Sequence, residues 1–101
     1  MQDSLLDLPS FIKKPVDTTV VLGKPLKIEC EVSGIPLPEI TWLKDNEPLI
    51  EDDRISVESK AKGLFFLNFK ICEKIDCGTY TVKLHNESGD IDANFILTIH
   101  G

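Results

Sequence analysis

The stretch DCGTYTVKL, residues 76–84, decides the fold of this chain. After its glycine the side chains alternate in polarity, which places Tyr80, Val82 and Leu84 on one face. Alternation with a period of two predicts a β-strand that has one buried face. The stretch therefore predicts a strand, and the rest of the chain decides what covers its buried face.

The same period continues along most of the chain. Alternating segments are PLKIECEV (25–32), EITWLK (39–44), RISVES (54–59), LFFLNF (64–69) and the last run, 91–99. Turn signals separate them, namely GIPLP, DNEP, KAKG and NESG. At the front, TTVVLGK predicts a short strand, and PSFIKKP, bounded by prolines, predicts an edge strand. About seven or eight short strands without a crossover helix predict an all-β protein of two stacked, mainly antiparallel sheets.

Length and composition limit the classes of function. A chain of 101 residues fits one domain, which we expect over residues 9–100, with residues 1–8 as a linker. The net charge of −6 predicts repulsion of nucleic acid, and the lysines are scattered among carboxylates. No apolar run approaches the ~18 residues of a membrane span, and the first ten residues lack the pattern of a signal peptide. We therefore expect neither nucleic acid nor a membrane as a partner.

The cysteine count bears on the compartment. The chain has three cysteines, which is an odd number. Secreted domains of this size usually pair their cysteines, so the count favours a reducing compartment.

Several motifs together resemble immunoglobulin-like domains of the intermediate, or I-set, class. Cys30 on one predicted strand is followed by Trp42 on the next. The segment DCGTY (76–80) resembles the tyrosine-corner motif D-x-G-x-Y, and NESG (86–89) resembles the N-x-x-G turn of the class. The run LNFKICEKID (67–76) resembles L-x-I-x-x-V-x-x-x-D. The predicted fold class is therefore an immunoglobulin-like β-sandwich.

The resemblance implies structural roles for Cys30, Trp42, Leu67, Asp76, Gly78, Tyr80 and Val82. Trp42 fills the middle of the sandwich. The Tyr80 hydroxyl bonds nearby backbone, and Gly78 permits a tight corner. Asp76 is placed for a charge-assisted hydrogen bond, with Arg54 as its expected partner.

The cysteines depart from the family pattern. The second cysteine of the family lies two residues after the tyrosine, where this chain has Val82. Cys30 therefore faces a valine, and we expect no disulfide between the second and sixth strands of the sandwich. Cys72 is interpreted as a small buried hydrophobe and Cys77 as a residue near the surface. A bridge between these two, or a redox role for Cys77, is a less favoured alternative.

Residues capable of chemistry are few, and we expect no catalytic residue, cofactor or metal. His85 and His100 lack a third ligand at metal-like spacing. The acidic run 51–53 lacks the alternation of oxygen ligands that calcium loops show, which favours a solvated loop. Asn86 begins a formal glycosylation sequon, NES, but the turn itself needs Asn and Gly at those positions. The sequence predicts that the chain is not an enzyme.

Exposed apolar residues give a hypothesis for partner binding. By strand parity, Leu43 and Ile96 fall on the outer face of one sheet and Phe66 on the outer face of the other. We predict Leu43 and Ile96 as a contact patch for another protein, provided that they lie close together.

The segments PSFIKKP (9–15) and LGKPLKIEC (22–30) resemble the immunoglobulin domains of giant muscle proteins of the titin (connectin) family. That resemblance implies a structural or mechanical module in a tandem array, in the cytoplasm, within the sarcomere. It also implies neighbouring immunoglobulin or fibronectin-like domains and sarcomeric proteins as partners, and a monomer in isolation. The last strand of the domain is expected to pair in parallel with TTVVL, so that pulling on the two ends shears the hydrogen bonds between these strands. The alternative is an extracellular adhesion or receptor domain.

Overall fold

The structure, a computed structural model, describes residues 6–101. Nine β-strands occupy this part of the chain. They are β1 (Asp7–Lys13), β2 (Thr18–Val21), β3 (Leu26–Ile35), β4 (Glu39–Lys44), β5 (Glu47–Pro48), β6 (Ile55–Ala61), β7 (Leu64–Phe69), β8 (Gly78–Asn86) and β9 (Gly89–His100). One turn of 3-10 helix, Lys74–Asp76, lies between β7 and β8. No helix in residues 6–101 has the length and apolar character needed to cross a membrane.

The strands form two sheets that pack face to face. One sheet has four strands in the order β1-β3-β7-β6, and the other has five in the order β2-β9-β8-β4-β5. Strand β2 pairs with β9 in parallel, whereas the other pairs are antiparallel. The predicted all-β sandwich of two mainly antiparallel sheets is confirmed.

The core lies between the sheets and follows the predicted parity. Each strand contributes alternate residues, because successive side chains point to opposite faces. The buried apolar residues are Ile28, Cys30, Val32, Trp42, Ile55, Leu67, Phe69, Cys72, Tyr80, Val82, Leu84, Phe95, Leu97 and Ile99. Packing of these side chains therefore holds the sheets together, and all three cysteines are free.

Some boundaries differ from the predicted ones. Strand β1 begins at Asp7, two residues before the Pro9 at which we expected the domain to begin. Residues 1–5 of the predicted linker lie outside the described part of the chain. Only the first two residues of the predicted turn DNEP form a turn, with φ of 51° at Asp45 and 68° at Asn46. The other two, Glu47 and Pro48, form β5. Two consecutive residues with positive φ make the tight hairpin turn whose twist matches the flanking strands.

Candidate functional site

The parallel pair β2–β9 joins the second strand of the domain to its last strand. Its register runs from Thr18 opposite Leu97 to Val21 opposite His100. The pairing continues beyond β2, where the Leu22 N–H donates to the His100 carbonyl at 2.8 Å. Before β2, a carboxylate oxygen of Asp17 accepts a bond from the Ile96 N–H at 2.8 Å. The parallel pairing predicted from the resemblance is therefore present and is extended at both ends.

The two ends of the described chain lie at opposite poles of the sandwich. Asp7 lies beside the β8–β9 turn, because its carbonyl accepts a bond from the Asn86 side chain at 2.8 Å. Gly101 lies beside Leu22 at the other pole, where β9 ends. Force applied between the ends therefore runs along β2 and β9 and loads their hydrogen bonds together.

Asn86 ties together the pole at which β1 begins. Its Nδ2 donates to the carbonyls of Asp7 and Pro36, at 2.8 and 3.0 Å. Its Oδ1 accepts bonds from the N–H groups of Ser88 and Gly89, at 2.8 and 3.3 Å. The side chain is 6% exposed, and both of its polar atoms are committed to the fold. This arrangement accounts for the asparagine of the NES sequence by its role in the turn.

Tyr80 pins the corner before β8. Its buried hydroxyl donates to the Asp76 carbonyl at 2.6 Å, as the sequence predicted. The ring packs edge-on against Phe69, with an interplanar angle of 82°, and stacks on Phe95 with an angle of 12°. Burial raises the pKa of Tyr80 above its ordinary value. The hydroxyl consequently stays protonated and remains a donor.

Arg54 and Asp76 form a two-pronged ion pair beneath this corner. The Arg54 Nη1 and Nη2 atoms donate to the two carboxylate oxygens of Asp76, at 2.6 and 2.9 Å. Asp76, which is 2% exposed, also accepts a bond from the Glu73 N–H at 2.8 Å. Arg54 further donates to the Ile71 carbonyl at 2.9 Å. The hydrogen bond to Asp76 raises the pKa of Arg54, so the guanidinium stays charged at any accessible pH. The pairing expected from the sequence is confirmed.

Gly78 has a different role from the one that we expected. Its φ does not lie in the left-handed region that favours glycine. A Cβ atom built on Gly78 would lie 2.9 Å from a carboxylate oxygen of Asp45. That carboxylate accepts a bond from the Thr79 N–H at 3.0 Å. The glycine is therefore needed for the close approach of Asp45, and the backbone conformation does not require it.

The cysteine side chains act as packing and polar groups within the fold. Cys30 and Cys72 are buried, and burial raises the pKa of the Cys30 thiol to about 12. Cys77 is exposed, and its Sγ accepts a bond from the Ile99 N–H at 3.2 Å. The pairing of β8 with β9 ends at Gly78 opposite Leu97, so β8 offers no carbonyl to the Ile99 N–H. The Cys77 sulfur accepts that bond instead.

The acidic run 51–53 bonds backbone amides. An Asp52 carboxylate oxygen accepts bonds from the N–H groups of Arg54 and Ile55, at 2.8 and 2.9 Å. These bonds lower the pKa of Asp52. Glu51 accepts a bond from the Val57 N–H at 2.8 Å. In residues 6–101, no cluster of three or more His, Cys, Asp or Glu side chains is arranged to hold a metal ion.

His85 lies on the outer face of β8, where its Nδ1 meets the Asp90 carboxylate. The bond to Asp90, with a smaller effect from Glu39, raises the pKa of His85. A raised pKa means that the stabilising effect of this pair is present below the pKa of the unfolded chain. It is lost as pH rises through the pKa of the folded state.

In an NMR titration we therefore expect the pKa of His85 to lie above 6.5. The Asp90→Asn substitution should bring this pKa back towards that value, because it removes the acceptor charge. Asp92→Asn, two residues along the same face, is the control and should leave the pKa of His85 in place. An equal shift in both variants would contradict the assignment to Asp90.

Leu43 and Ile96 lie on the same outer face but not side by side. Leu43 is opposite Thr81 of β8, and Ile96 is opposite Thr79. The two residues are thus two strands apart, roughly 10 Å across the sheet, with threonines between them. Leu43 is half-buried and Ile96 is 50% exposed. They do not form one continuous apolar patch, and their role in binding stays a prediction.

Comparison with known proteins agrees with this geometry. Residues 9–99 match the family described as the immunoglobulin I-set domain. The chain belongs to the immunoglobulin I-set family. Among solved structures, the I-set chain resembles the titin M3 domain with a TM-score of 0.88 and 26% identity. That likeness covers 92% of this chain and 97% of the titin domain.

Relatives of this I-set domain include much longer proteins. Palladin of Rattus norvegicus is 39% identical over 91% of this chain. The muscle M-line assembly protein unc-89 of Caenorhabditis elegans is 42% identical over 80% of it. The chain spans only 15% of that palladin and 1% of unc-89. The likeness therefore concerns one domain of each relative.

Proposed function

We propose that this I-set domain is a non-catalytic structural and mechanical module of a tandem-domain muscle protein. It acts within the cytoplasm, in the sarcomere, as part of a scaffold or spring. Neighbouring immunoglobulin or fibronectin-like domains precede or follow it, and sarcomeric proteins are its partners. The relative unc-89, whose name describes muscle M-line assembly, and the likeness to titin M3 support this proposal.

The observation that carries the proposal is the parallel pairing of β2 with β9. Because the chain enters at one pole and leaves at the other, end-to-end force acts along these strands. In this shear geometry several hydrogen bonds must break together. An antiparallel pair that is pulled open from one end gives way one bond at a time. The domain is thus built to resist extension along the direction of an array.

The free cysteines support the intracellular part of the proposal. Cys30 and Cys72 are buried without a bridge, and Cys77 is exposed. An exposed free thiol suits a reducing compartment better than the cell surface. The Asn86 side chain, with both polar atoms bonded within the fold, supports the same compartment, because a glycan on Nδ2 would displace those bonds.

Single-molecule stretching of the Val20→Pro variant tests the mechanical role. The Leu22 N–H faces β9, and so by strand alternation does the Val20 N–H. Proline at position 20 removes a donor of the terminal pair. We expect a lower unfolding force and a loss of about 1–3 kcal/mol in the free energy of unfolding.

Thr19→Pro is the matched control, because the Thr19 N–H faces away from β9 and its side chain is exposed. We expect its unfolding force to stay close to that of the unmodified domain. If the two variants unfold at the same force, the β2–β9 pair does not set the mechanical resistance.

The predicted partner surface of this module is the outer face of the five-stranded sheet around Leu43 and Ile96. The uncharged centre of this surface supports the prediction. There the Thr81 hydroxyl donates to Asn94 Oδ1 at 2.7 Å, between Leu43 and Ile96. Contacts there would be two separate apolar points on a flat polar surface. This surface stays a prediction.

A further inference from the structure

Five lysines lie on one surface around the beginning of β3. They are spread along the sequence, but β1, β3 and β7 are neighbours in the four-stranded sheet. Leu26, the first residue of β3, lies opposite Phe69, the last residue of β7. Lysines next to these two positions are therefore close together. The lysine surface consists of Lys13, Lys14, Lys24, Lys27 and Lys70, all of which are exposed.

Most of the charge on the lysine surface is not balanced by carboxylates. Lys13 pairs with Glu29 at 2.7 Å, and Lys27 lies 3.7 Å from a carboxylate oxygen of Glu58. The other three lysines form no ion pair within residues 6–101. Exposed ion pairs contribute little, so Lys13 and Lys27 can exchange their carboxylates for others. A local excess of positive charge thus lies on a chain whose net charge is −6.

Two shallow grooves with apolar walls cross the lysine surface, one on each side of β3. The groove between β3 and β7 has a volume of about 420 Å³, and Pro25 and Leu26 form part of its wall. The second groove has a volume of about 250 Å³ and lies where the chain leaves β1 and crosses to the other sheet. Pro15 and Val16 line it, and Leu26 contributes to both grooves.

We propose that the lysine surface binds an acidic segment of another protein in an extended conformation. Carboxylates of the segment pair with Lys14, Lys24 and Lys70, and its apolar side chains enter the two grooves. The site lies on the four-stranded sheet, so it is separate from the predicted surface around Leu43 and Ile96. It also does not depend on the mechanical role proposed above.

The spacing of the grooves defines the segment. Because the grooves lie on opposite sides of one strand, their centres are roughly 5–10 Å apart. Side chains two residues apart share a face of an extended chain and are about 7 Å apart, so they reach both grooves. The expected segment therefore has two apolar residues at this spacing, flanked by Asp or Glu.

Charge and shape favour a protein segment over a membrane or a nucleic acid. Both of these are extended polyanions, which the net charge of −6 repels beyond the lysine surface. A flat bilayer also does not fill grooves that lie on the two sides of a strand. A short segment contacts only the region of excess positive charge, so it gains the attraction without the repulsion.

An NMR titration with a short peptide of glutamates that carries two leucines two residues apart tests the proposal. We expect the amide signals of Lys27, Asn68 and Lys70 to move, whereas that of Thr81 on the other sheet should stay in place. Replacing both leucines of the peptide with alanine should weaken binding about tenfold, because the grooves are then left unfilled.

The Lys14→Glu/Lys70→Glu variant should bind the peptide at least about tenfold more weakly, since two attractions become repulsions. Lys60→Glu/Lys62→Glu is the matched control, because it makes the same change of charge at the other end of β7, roughly 20 Å away. In about 0.15 M salt the Debye length is about 8 Å, so the control should bind as the unmodified domain does.

Vesicles of phosphatidylcholine with phosphatidylserine, and a single-stranded oligonucleotide, serve as the other probes. We expect neither of them to move the signals of the lysine surface. A peptide that moves no signal there, or one that binds equally well with alanines, would overturn the proposal. Equal loss of binding in the Lys60→Glu/Lys62→Glu control would overturn it too, as would tighter binding of the vesicles or the oligonucleotide than of the peptide.

Discussion

Replacing Trp42 with alanine should lower the free energy of unfolding by about 3–5 kcal/mol. Trp42 is 6% exposed and lies between the sheets, opposite Val82 of β8. Its indole N–H has no hydrogen-bond partner within the described chain, so the side chain stabilises the fold by packing. The substitution leaves a cavity that the surrounding strands fill only in part. Because Trp42 is the single tryptophan, unfolding in urea should be followed by circular dichroism.

Leu43→Ala provides the control for this experiment. Leu43 is the next residue of β4 and points to the outer face, where it is half-buried. We expect its loss to cost less than half as much as the loss of Trp42, since no enclosed cavity forms. Unfolding of Trp42→Ala at a near-normal urea concentration would show that this residue is not central to the core.

The Arg54→Ala substitution should also cost about 3–5 kcal/mol, because it leaves the buried Asp76 carboxylate without its partner. The exposed ion pair between Lys13 and Glu29 is the comparison. Lys13→Ala should cost less than about 1 kcal/mol, since solvent screens that pair. Equilibrium unfolding at neutral pH measures both losses.

A double-mutant cycle separates the ion pair from other contacts of Arg54. Removing Arg54 and Asp76 together should cost less than the sum of the single losses, because no unpaired buried charge remains. Arg54→Lys should fall between the parent and Arg54→Ala, since an ammonium cannot make the two-pronged contact. Additive single losses would show that the two side chains act independently.

Alternation of polarity made most of the fold predictable. Residues two apart on a strand share a face, so Ile28, Cys30 and Val32 could be placed in the core from the sequence. The bonds of Tyr80 and Arg54 followed from a motif whose spacing fixes its geometry. These features depend on residues close together in sequence or on the tyrosine-corner motif.

Features that depend on distant residues were not predictable in the same way. A glycine is needed at position 78 because the side chain of Asp45, in the turn between β4 and β5, lies too close for a Cβ atom. Strand β5 has two residues, which is too short for any period to show. The sequence predicts a solvated loop for Glu51, because nothing in the acidic run indicates that this side chain accepts a bond from the Val57 N–H of β6. The separation of Leu43 from Ile96 depended on the order of three strands.

The valine opposite Cys30 has a consequence for how far the chain can lengthen. Extended polypeptide spans at most about 3.3–3.6 Å per residue, so unfolding a domain of this size lengthens the chain by roughly 300 Å. A covalent bridge from position 30 to position 82 would hold back about half of that length, since the loop between them could never open. Because Val82 cannot form the bridge and all three thiols are free, the whole chain can be drawn out. It can also recoil without any oxidation step.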